Sequence, residues 1–197
     1  MSVTSITTLL IYMIICSFTP GPGNILALNT TSRYGWNKSK RLILGICVGY
    51  GVVQAICTIT IYELNQVFNS ILELLRYIGG IYMVFLAIKI MRSKLEDEEK
   101  TDKQPTFREG FLLQLVNVKI YFYITSLLSI YFIPNINSII GLVLAGIFAV
   151  SIGSIASLTW AFLGVKLEKI YRKHFRIINI VLGLFLIYCA YSIVRRM

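Results

Sequence analysis

Charged side chains are scarce in this sequence of 197 residues: they make up 14% of it, against 56% hydrophobic residues and a mean hydropathy of +0.74. Soluble globular domains carry about 25% charged residues. Apolar runs of about 18 residues or more recur along the whole chain, and such runs are long enough to form transmembrane helices. The composition therefore excludes a soluble domain and predicts an all-α polytopic membrane protein whose main partner is the lipid bilayer.

Groups that serve in catalysis or metal binding are also scarce. The single histidine, His174, lies in a basic stretch, and the motifs G-x-S-x-G and H-E-x-x-H do not occur. Four cysteines lie in apolar runs without a C-x-x-C pair, at Cys16, Cys47, Cys57 and Cys189. This pattern indicates small core residues and no disulfides. We therefore expect no catalytic residues, no cofactor and no metal site, and a membrane-embedded enzyme is the weakest alternative.

Six apolar spans of 18 to 27 residues are predicted, and they form a single transmembrane domain of residues 1–197. Their predicted bounds are 6–30, 41–62, 72–91, 111–132, 139–165 and 177–194. The first run lacks the basic flank of a signal peptide and is therefore kept as a span. Because three helices precede three others, the second half enters the membrane from the opposite side, and a 3+3 inverted repeat is a hypothesis.

Lysines and arginines cluster in particular connections, a distribution that argues against a nucleic-acid-binding surface. Fifteen lie in or beside the first, third and fifth connections, three lie on the opposite side, and Lys119 lies within a span. Cytoplasmic loops carry the excess of basic residues in membrane proteins. The odd connections, including the long charged loop 92–110, are therefore predicted to be cytoplasmic, with both termini outside the cytoplasmic (inner) membrane.

The first span contains an interruption that its hydrophobicity does not require, Pro20-Gly21-Pro22-Gly23-Asn24. Its two prolines remove backbone donors and its two glycines relax the helical dihedral angles. In hydrocarbon, broken backbone survives only where it faces protein or a water-filled cavity. Because secondary transporters hold polar solutes at such breaks, we predict a substrate site here. The alternative is a kink that only shapes helix packing.

Polar side chains of the fourth span form a second interruption at a similar depth. Gln114, Asn117 and Lys119 lie there, and Lys119 is the one formal charge deep within a predicted span. A rise of about 1.5 Å per residue puts Asn117 and Pro20 each roughly 9 Å inside the inner face. One cavity lined by both interruptions is therefore predicted. The alternatives are a Lys119 that snorkels to the interface and an Asn117 that bonds a neighbouring helix.

Such a cavity would suit a small zwitterionic solute. The Lys119 ammonium supplies a cation for a carboxylate, and a helix starting near Gly23 directs free backbone N–H groups at an anion. Amide side chains that can both donate and accept hydrogen bonds are Asn24, Gln54, Gln114 and Asn117. The predicted partner is therefore a small-molecule, amino-acid-like substrate.

Small residues indicate where helices approach each other closely. In the fifth span a small residue recurs every four positions from Gly141 through Gly153 to Ala161, and the second span carries Gly45 and Gly49 as G-x-x-x-G. We predict packing roles for these glycines. The packing partner is either another span or a second protomer, so a homo-oligomer is an open alternative.

Proton coupling has few candidate residues, because no Asp or Glu lies deep within a predicted span and intramembrane ionisable groups mark proton pathways. Glu63 and Glu73, near the outer ends of the second and third spans, are candidate proton acceptors. The alternatives are a solvated helix end, with Glu73 and Arg76 paired three residues apart, and uniport, which needs no coupling residue.

Five motifs follow one another with a specific order and spacing. They are Pro20–Asn24, Ser32–Trp36, Gly79–Tyr82, Gly110–Lys119 and Pro134. Together they resemble the LysE/RhtB family of amino-acid exporters along nearly the whole chain. The first family motif maps to Pro20, Gly21 and Pro22, and the second maps to Asn117 and Lys119.

The resemblance implies six spans in a bacterial inner membrane and secondary export of small neutral amino acids or their derivatives. Many members have Asn-Pro-Lys where this chain has Asn117-Val118-Lys119, so we expect the proline kink to be missing. The valine form, together with Asn24–Leu28 and Asn179–Leu182, is similar to the branch that exports cysteine and O-acetylserine. The alternatives are export of a lysine-, homoserine-, threonine- or leucine-type amino acid, or of a metal cation.

Overall fold

The computed structural model describes residues 3–63, 67–93 and 105–195, and all regular structure within these ranges is helical. The elements are α1 (Val3–Phe18), α2 (Pro22–Glu63), α3 (Val67–Met91), α4 (Phe107–Leu115), α5 (Val118–Ser126), a π-helical turn that continues α5 (Leu127–Phe132), α6 (Ile139–Lys166), α7 (Glu168–Lys173) and α8 (Phe175–Arg195). The predicted all-α class is therefore confirmed.

Several described helices are long and apolar enough to cross a membrane. They are Pro22–Ile61, Ile139–Lys166 and Phe175–Ser192. A fourth candidate is a bent span. It consists of α4 followed by α5 and the π-helical turn, and the chain bends by 55° between the two parts. Two apolar stretches, Ser5–Phe18 and Tyr77–Met91, are shorter. The membrane-protein prediction is confirmed, and the count of six spans stays a prediction.

The predicted connection between the first two spans, residues 31–40, is too long. In the structure α2 is helical on both sides of Gly35, the one residue of α2 with non-helical dihedral angles. Gly35 has φ 72° and ψ 172°, a backbone conformation that glycine adopts without a steric penalty. The hydroxyl of Ser39 donates to Thr30 O at 3.2 Å, although nine residues of straight helix would separate these groups by about 13 Å. The chain therefore turns back at one residue.

The long loop also ends earlier than its predicted boundary at residue 110. Helix α4 begins at Phe107, where Thr106 and Glu109 form a capping box: the Thr106 N–H donates to Glu109 Oε2 at 2.9 Å. This motif satisfies two backbone donors that a helix start leaves free. Residues 94–104, most of the predicted loop, lie outside the described residues.

Helices α2 and α4 are in direct backbone contact through glycines. A Cβ added to Gly45 would lie 2.1 Å from Phe107 O, and one added to Gly110 would lie 2.2 Å from Leu42 O. At Gly49 the corresponding Cβ would lie 2.8 Å from Gln114 Cβ. The predicted G-x-x-x-G pair of α2 therefore packs against α4, and it brings the polar end of α4 close to α2.

The small-residue stripe of α6 faces protein over most of its length. Ala149, Gly153, Ser157 and Ala161 are buried, and a Cβ at Gly153 would lie 2.7 Å from the Tyr50 ring. The packing role predicted for Gly141 stays a prediction. Its nearest neighbours are Ile136 and Ser138, which belong to the turn that precedes α6, so the stripe begins to face other helices only further along.

Tyr171 ties the short helix α7 to the interior. Its hydroxyl donates to Asn179 Oδ1 at 2.7 Å and accepts from Asn29 Nδ2 at 2.9 Å, and Asn179 Nδ2 donates to Ser93 Oγ at 2.9 Å. Burial raises the pKa of Tyr171 to about 12, so its hydroxyl keeps its proton at neutral pH. One network therefore joins α2, α7 and α8 to Ser93, which follows α3.

We expect Gly45→Ala to lower the folded yield and thermal stability of the detergent-purified protein. The added methyl group meets the fixed backbone of α4, and overpacking of this kind costs roughly 1–3 kcal/mol or more. Size-exclusion chromatography and thermal unfolding measure the effect. Gly51→Ala is the matched control, because the nearest atom to its Cβ is 3.9 Å away. An unchanged unfolding midpoint in Gly45→Ala would contradict the close contact of α2 with α4.

Candidate functional site

The proline–glycine stretch divides the first apolar run into two helices. Helix α1 ends at Phe18 and α2 begins at Pro22. Pro20 and Pro22 have no N–H, so neither can donate to the carbonyl four residues earlier in a continuous helix. Pro22 is instead the first residue of α2, a position that needs no intrahelical donor. The interruption that the sequence predicts is therefore present at the predicted residues.

Three carbonyl groups at the end of α1 accept hydrogen bonds from side chains of other elements. Asn24 Nδ2 donates to Ser17 O at 2.8 Å and to Thr19 O at 3.1 Å. Lys119 Nζ donates to Thr19 O at 2.6 Å. The third pair is Trp160 Nε1 and Phe18 O, at 3.1 Å. Because a helix C-terminus carries partial negative charge, a lysine ammonium is also stabilised electrostatically there.

Helices α4 and α5 form a second break, and the expectation that it would lack a kink without proline is wrong. Asn117 has φ −82° and ψ 87°, and the Val118 N–H donates to Val116 O at 3.1 Å. These values describe an inverse γ-turn. The bend also fits α3 closely, since a Cβ at Gly79 would lie 2.5 Å from Val116 O. An N–H at position 118, which proline would not have, therefore stabilises this turn.

The amide side chains at the second break are buried and only partly hydrogen-bonded. Asn117 Nδ2 donates to Gln114 Oε1 at 2.9 Å. Asn117 Oδ1 and the hydroxyl of Tyr50 are buried without a hydrogen-bond partner in the described part of the chain. A buried polar group without a partner costs about 1–3 kcal/mol. Both groups are therefore suited to bind a polar ligand or water.

The two breaks line one cavity, which we call the central cavity. Six residues predicted for the site line it, namely Gly21, Gly23, Asn24, Gln114, Asn117 and Lys119. The space open to the centres of water-sized molecules is about 40 Å³, which is enough for a few waters because one water needs about 10–15 Å³ on this measure. The groups that the sequence predicts to meet are therefore adjacent around one small polar cavity.

Glycines in the first break allow polar side chains of the second break to approach. A Cβ at Gly21 would lie 2.8 Å from Lys119 Cδ, and one at Gly23 would lie 2.9 Å from Gln114 Oε1. Gly23 and Asn24 belong to the first turn of α2, whose N–H groups have no intrahelical acceptor. A cation and a helix N-terminus therefore border the same cavity, an arrangement that favours an anionic group.

The other residues predicted for the pathway lie away from the central cavity or outside the described residues. Gln54 does not line the central cavity: its Nε2 donates to Thr58 Oγ1 at 3.2 Å, and its side chain lies against Gly146 of α6. Pro20 and Pro22 create the break without lining the cavity. The side chains of Glu63 and Glu73 lie outside the described residues, so their predicted role in proton coupling stays a prediction.

Four polar residues line the central cavity that sequence reasoning did not select. They are Ser17, Tyr50, Tyr123 and Ser157. Tyr123 follows Lys119 by four residues and so shares its helix face, a signal that could have identified it. Ser157 was included only as a small packing residue, although its hydroxyl donates to Asn24 Oδ1 at 3.3 Å. Nothing in the sequence distinguishes Tyr50 from an ordinary core tyrosine.

Comparison with known proteins connects this chain to a family. Residues 14–196 match the family described as LysE type translocator. Two relatives from Escherichia coli O157:H7 and Escherichia coli strain K12 are both named cysteine/O-acetylserine efflux protein. Each is 34% identical over 182 residues, which cover 92% of this chain and 93% of the relative. No solved structure matches the chain. The chain therefore belongs to the LysE type translocator family.

Proposed function

We propose that this protein exports small amino acids or their derivatives, of the cysteine and O-acetylserine type, across the cytoplasmic membrane by secondary transport. The observation that carries the proposal is the central cavity, where the broken α1–α2 helix faces Lys119 and Asn117. Family membership and the names of the two relatives support the same function.

The charges around the central cavity suit both ends of an amino acid. The substrate carboxylate binds the Lys119 ammonium and the N–H groups at the start of α2, where the helix dipole favours an anion. The substrate ammonium donates to Asn117 Oδ1, an acceptor that is buried without a partner among the described residues. Binding then replaces the hydrogen bond between Lys119 Nζ and Thr19 O with one in which the donor and the acceptor are both charged.

Alternating exposure of the site fits the arrangement of the helices. The central cavity has room for only a few waters, with about 40 Å³ open to their centres, and we propose that it widens to load an amino acid when the two breaks move apart. We propose six spans in a 3+3 inverted repeat, each half beginning with a broken helix. The contacts of α2 with α6 and of α3 with α8 support this repeat, because each pair joins helices at equivalent places in the two halves.

Replacing the Lys119 ammonium tests the site directly. We expect Lys119→Met to reduce export of cysteine and O-acetylserine by about tenfold or more, since a hydrogen bond to a charged group is worth about 1.5–3 kcal/mol and about 1.4 kcal/mol is a factor of ten. Release into the medium by overexpressing cells, normalised to the amount of protein in the membrane, measures this.

Lys169→Met is the matched control, because Lys169 is exposed in the short helix α7 and away from the cavity. Undiminished export by Lys119→Met at normal membrane levels would remove Lys119 from the site. Release of lysine, homoserine, threonine or leucine in place of cysteine and O-acetylserine would change the substrate. Release of a metal cation alone would overturn the proposal of amino-acid export.

The proposed orientation predicts which side chains an impermeant reagent can reach. In a cysteine-free background, Lys169→Cys is expected to resist an impermeant maleimide in intact cells and to react in inverted vesicles. Asn137→Cys, exposed in the turn before α6, is expected to show the opposite pattern, because the positive-inside rule puts the two sites on opposite sides. Labelling of Lys169→Cys in intact cells would invert the topology.

A further inference from the structure

A second and larger cavity lies between α2, α3 and α4. Its volume is about 670 Å³, and we call it the vestibule. Polar residues on its wall include Asn29 and Arg33 of α2, Lys89 of α3, and Glu109 of α4. Tyr82, Phe85, Leu86 and Ile90 supply apolar surface. The vestibule has the usual size of a small-molecule site, about 300–1,000 Å³, and the usual composition, apolar surface with a few polar groups.

Besides Arg33, the vestibule contains an anion and a cation that lie close to each other. Lys89 Nζ and Glu109 Oε1 are 3.1 Å apart, and their side chains are 60% and 42% exposed. The Glu109 carboxylate is held in place because its other oxygen accepts from the Thr106 N–H at 2.9 Å. Exposed ion pairs contribute only about 0–1 kcal/mol to stability. A zwitterion can therefore separate this pair at little cost and bind both charges.

A buried apolar cluster lies between the vestibule and the central cavity. Helix α4 contributes Glu109 to the vestibule and Gln114 to the central cavity, and five residues of helix span only about 7.5 Å. Between them Leu113 is fully buried, in one apolar cluster with Ile25 of α2. On α2, in turn, Ile25 follows Asn24 of the central cavity and precedes Asn29 of the vestibule. The two cavities are therefore consecutive along the same pair of helices.

The vestibule also lies at the end of the bundle that the basic residues predict to be cytoplasmic. Arg33 and Lys89 both line it, and they lie in or beside connections that the positive-inside rule assigns to the cytoplasm. In an exporter this is the side from which the solute arrives. The central cavity lies deeper, beyond the apolar cluster that contains Ile25 and Leu113.

We propose that the vestibule is a second binding site for the exported zwitterion, with Glu109 binding its ammonium group and Lys89 its carboxylate before the solute passes Ile25 and Leu113. This inference rests on the proposed export function. It assigns to the chain two solute sites in series, and the first of them uses the Glu109 carboxylate and the Lys89 ammonium, which lie together on the wall of the vestibule.

Binding stoichiometry tests the two sites separately. Purified protein in lipid nanodiscs is titrated with radiolabelled O-acetylserine, buffered slightly below neutral pH, where the ester is stable. We expect two bound molecules per chain in the wild type and one in each of Glu109→Gln, Lys89→Gln and Lys119→Met. Combining Glu109→Gln with Lys119→Met is expected to abolish binding, because each variant removes a charge from a different cavity.

Glu109→Gln removes the charge and keeps the start of α4, because glutamine also completes a capping box. The control is Glu168→Gln, which breaks a comparable exposed pair with Arg172, at 3.0 Å, on α7 away from both cavities. It is expected to bind two molecules. Thermal unfolding of each variant separates lost binding from lost folding.

Three results would overturn the inference. Two bound molecules in both Glu109→Gln and Lys89→Gln would show that the ion pair is not a binding site. One bound molecule in the wild type, lost in Lys119→Met, would remove the vestibule site and leave the central site and the export proposal in place. No binding to the folded wild type would remove the vestibule and also contradict the proposed substrate class.

Discussion

The interrupted backbone between α1 and α2 is the constraint on which the rest of the structure depends. In hydrocarbon an unpaired backbone group costs several kcal/mol, and the carbonyls of Ser17, Phe18 and Thr19 lie at this interruption. Their donors come from α2, α5 and α6. The break can therefore form only when three other helices are in position. The side chains that stabilise it, Asn24 and Lys119, are the same ones that line the central cavity, so folding and the proposed binding share their polar groups.

Because the same polar side chains stabilise the break and line the central cavity, substrate binding and the conformation of the protein are coupled in the proposed transport. A ligand shifts a conformational equilibrium only by its differential affinity for the two states. In the structure described here Lys119 Nζ is bonded to Thr19 O at 2.6 Å. A substrate carboxylate that takes over the ammonium would release that carbonyl from α5. Occupancy of the site and one of the hydrogen bonds that attach the end of α1 to the second half of the molecule would then depend on the same donor, Lys119 Nζ.

Much of this arrangement could be predicted from the sequence, because simple distances govern it. A fixed rise per residue and a known membrane thickness suffice to predict that the proline–glycine break and Asn117 lie at one depth. Features that depend on backbone dihedrals or on helix rotation could not be predicted. The one-residue turn at Gly35 and the γ-turn at Asn117 depend on backbone dihedrals. The position of the Gln54 side chain depends on helix rotation, because the packing of α2 against α6 directs it toward Gly146.

The two breaks differ in how their backbone is satisfied, and this difference bears on which of them moves. At the α4–α5 break the bonds are local: Val118 N–H donates to Val116 O, and the Tyr121 hydroxyl donates to Leu115 O at 3.0 Å. The α1–α2 break has one local donor, Asn24, and takes two others from distant parts of the chain, Lys119 and Trp160. Separation of the two halves would leave the local bonds of both breaks intact and disrupt those from Lys119 and Trp160. In the proposed cycle the α4–α5 break therefore acts as the fixed element, and the end of α1 is the part whose hydrogen bonds must be exchanged for contacts with substrate or water.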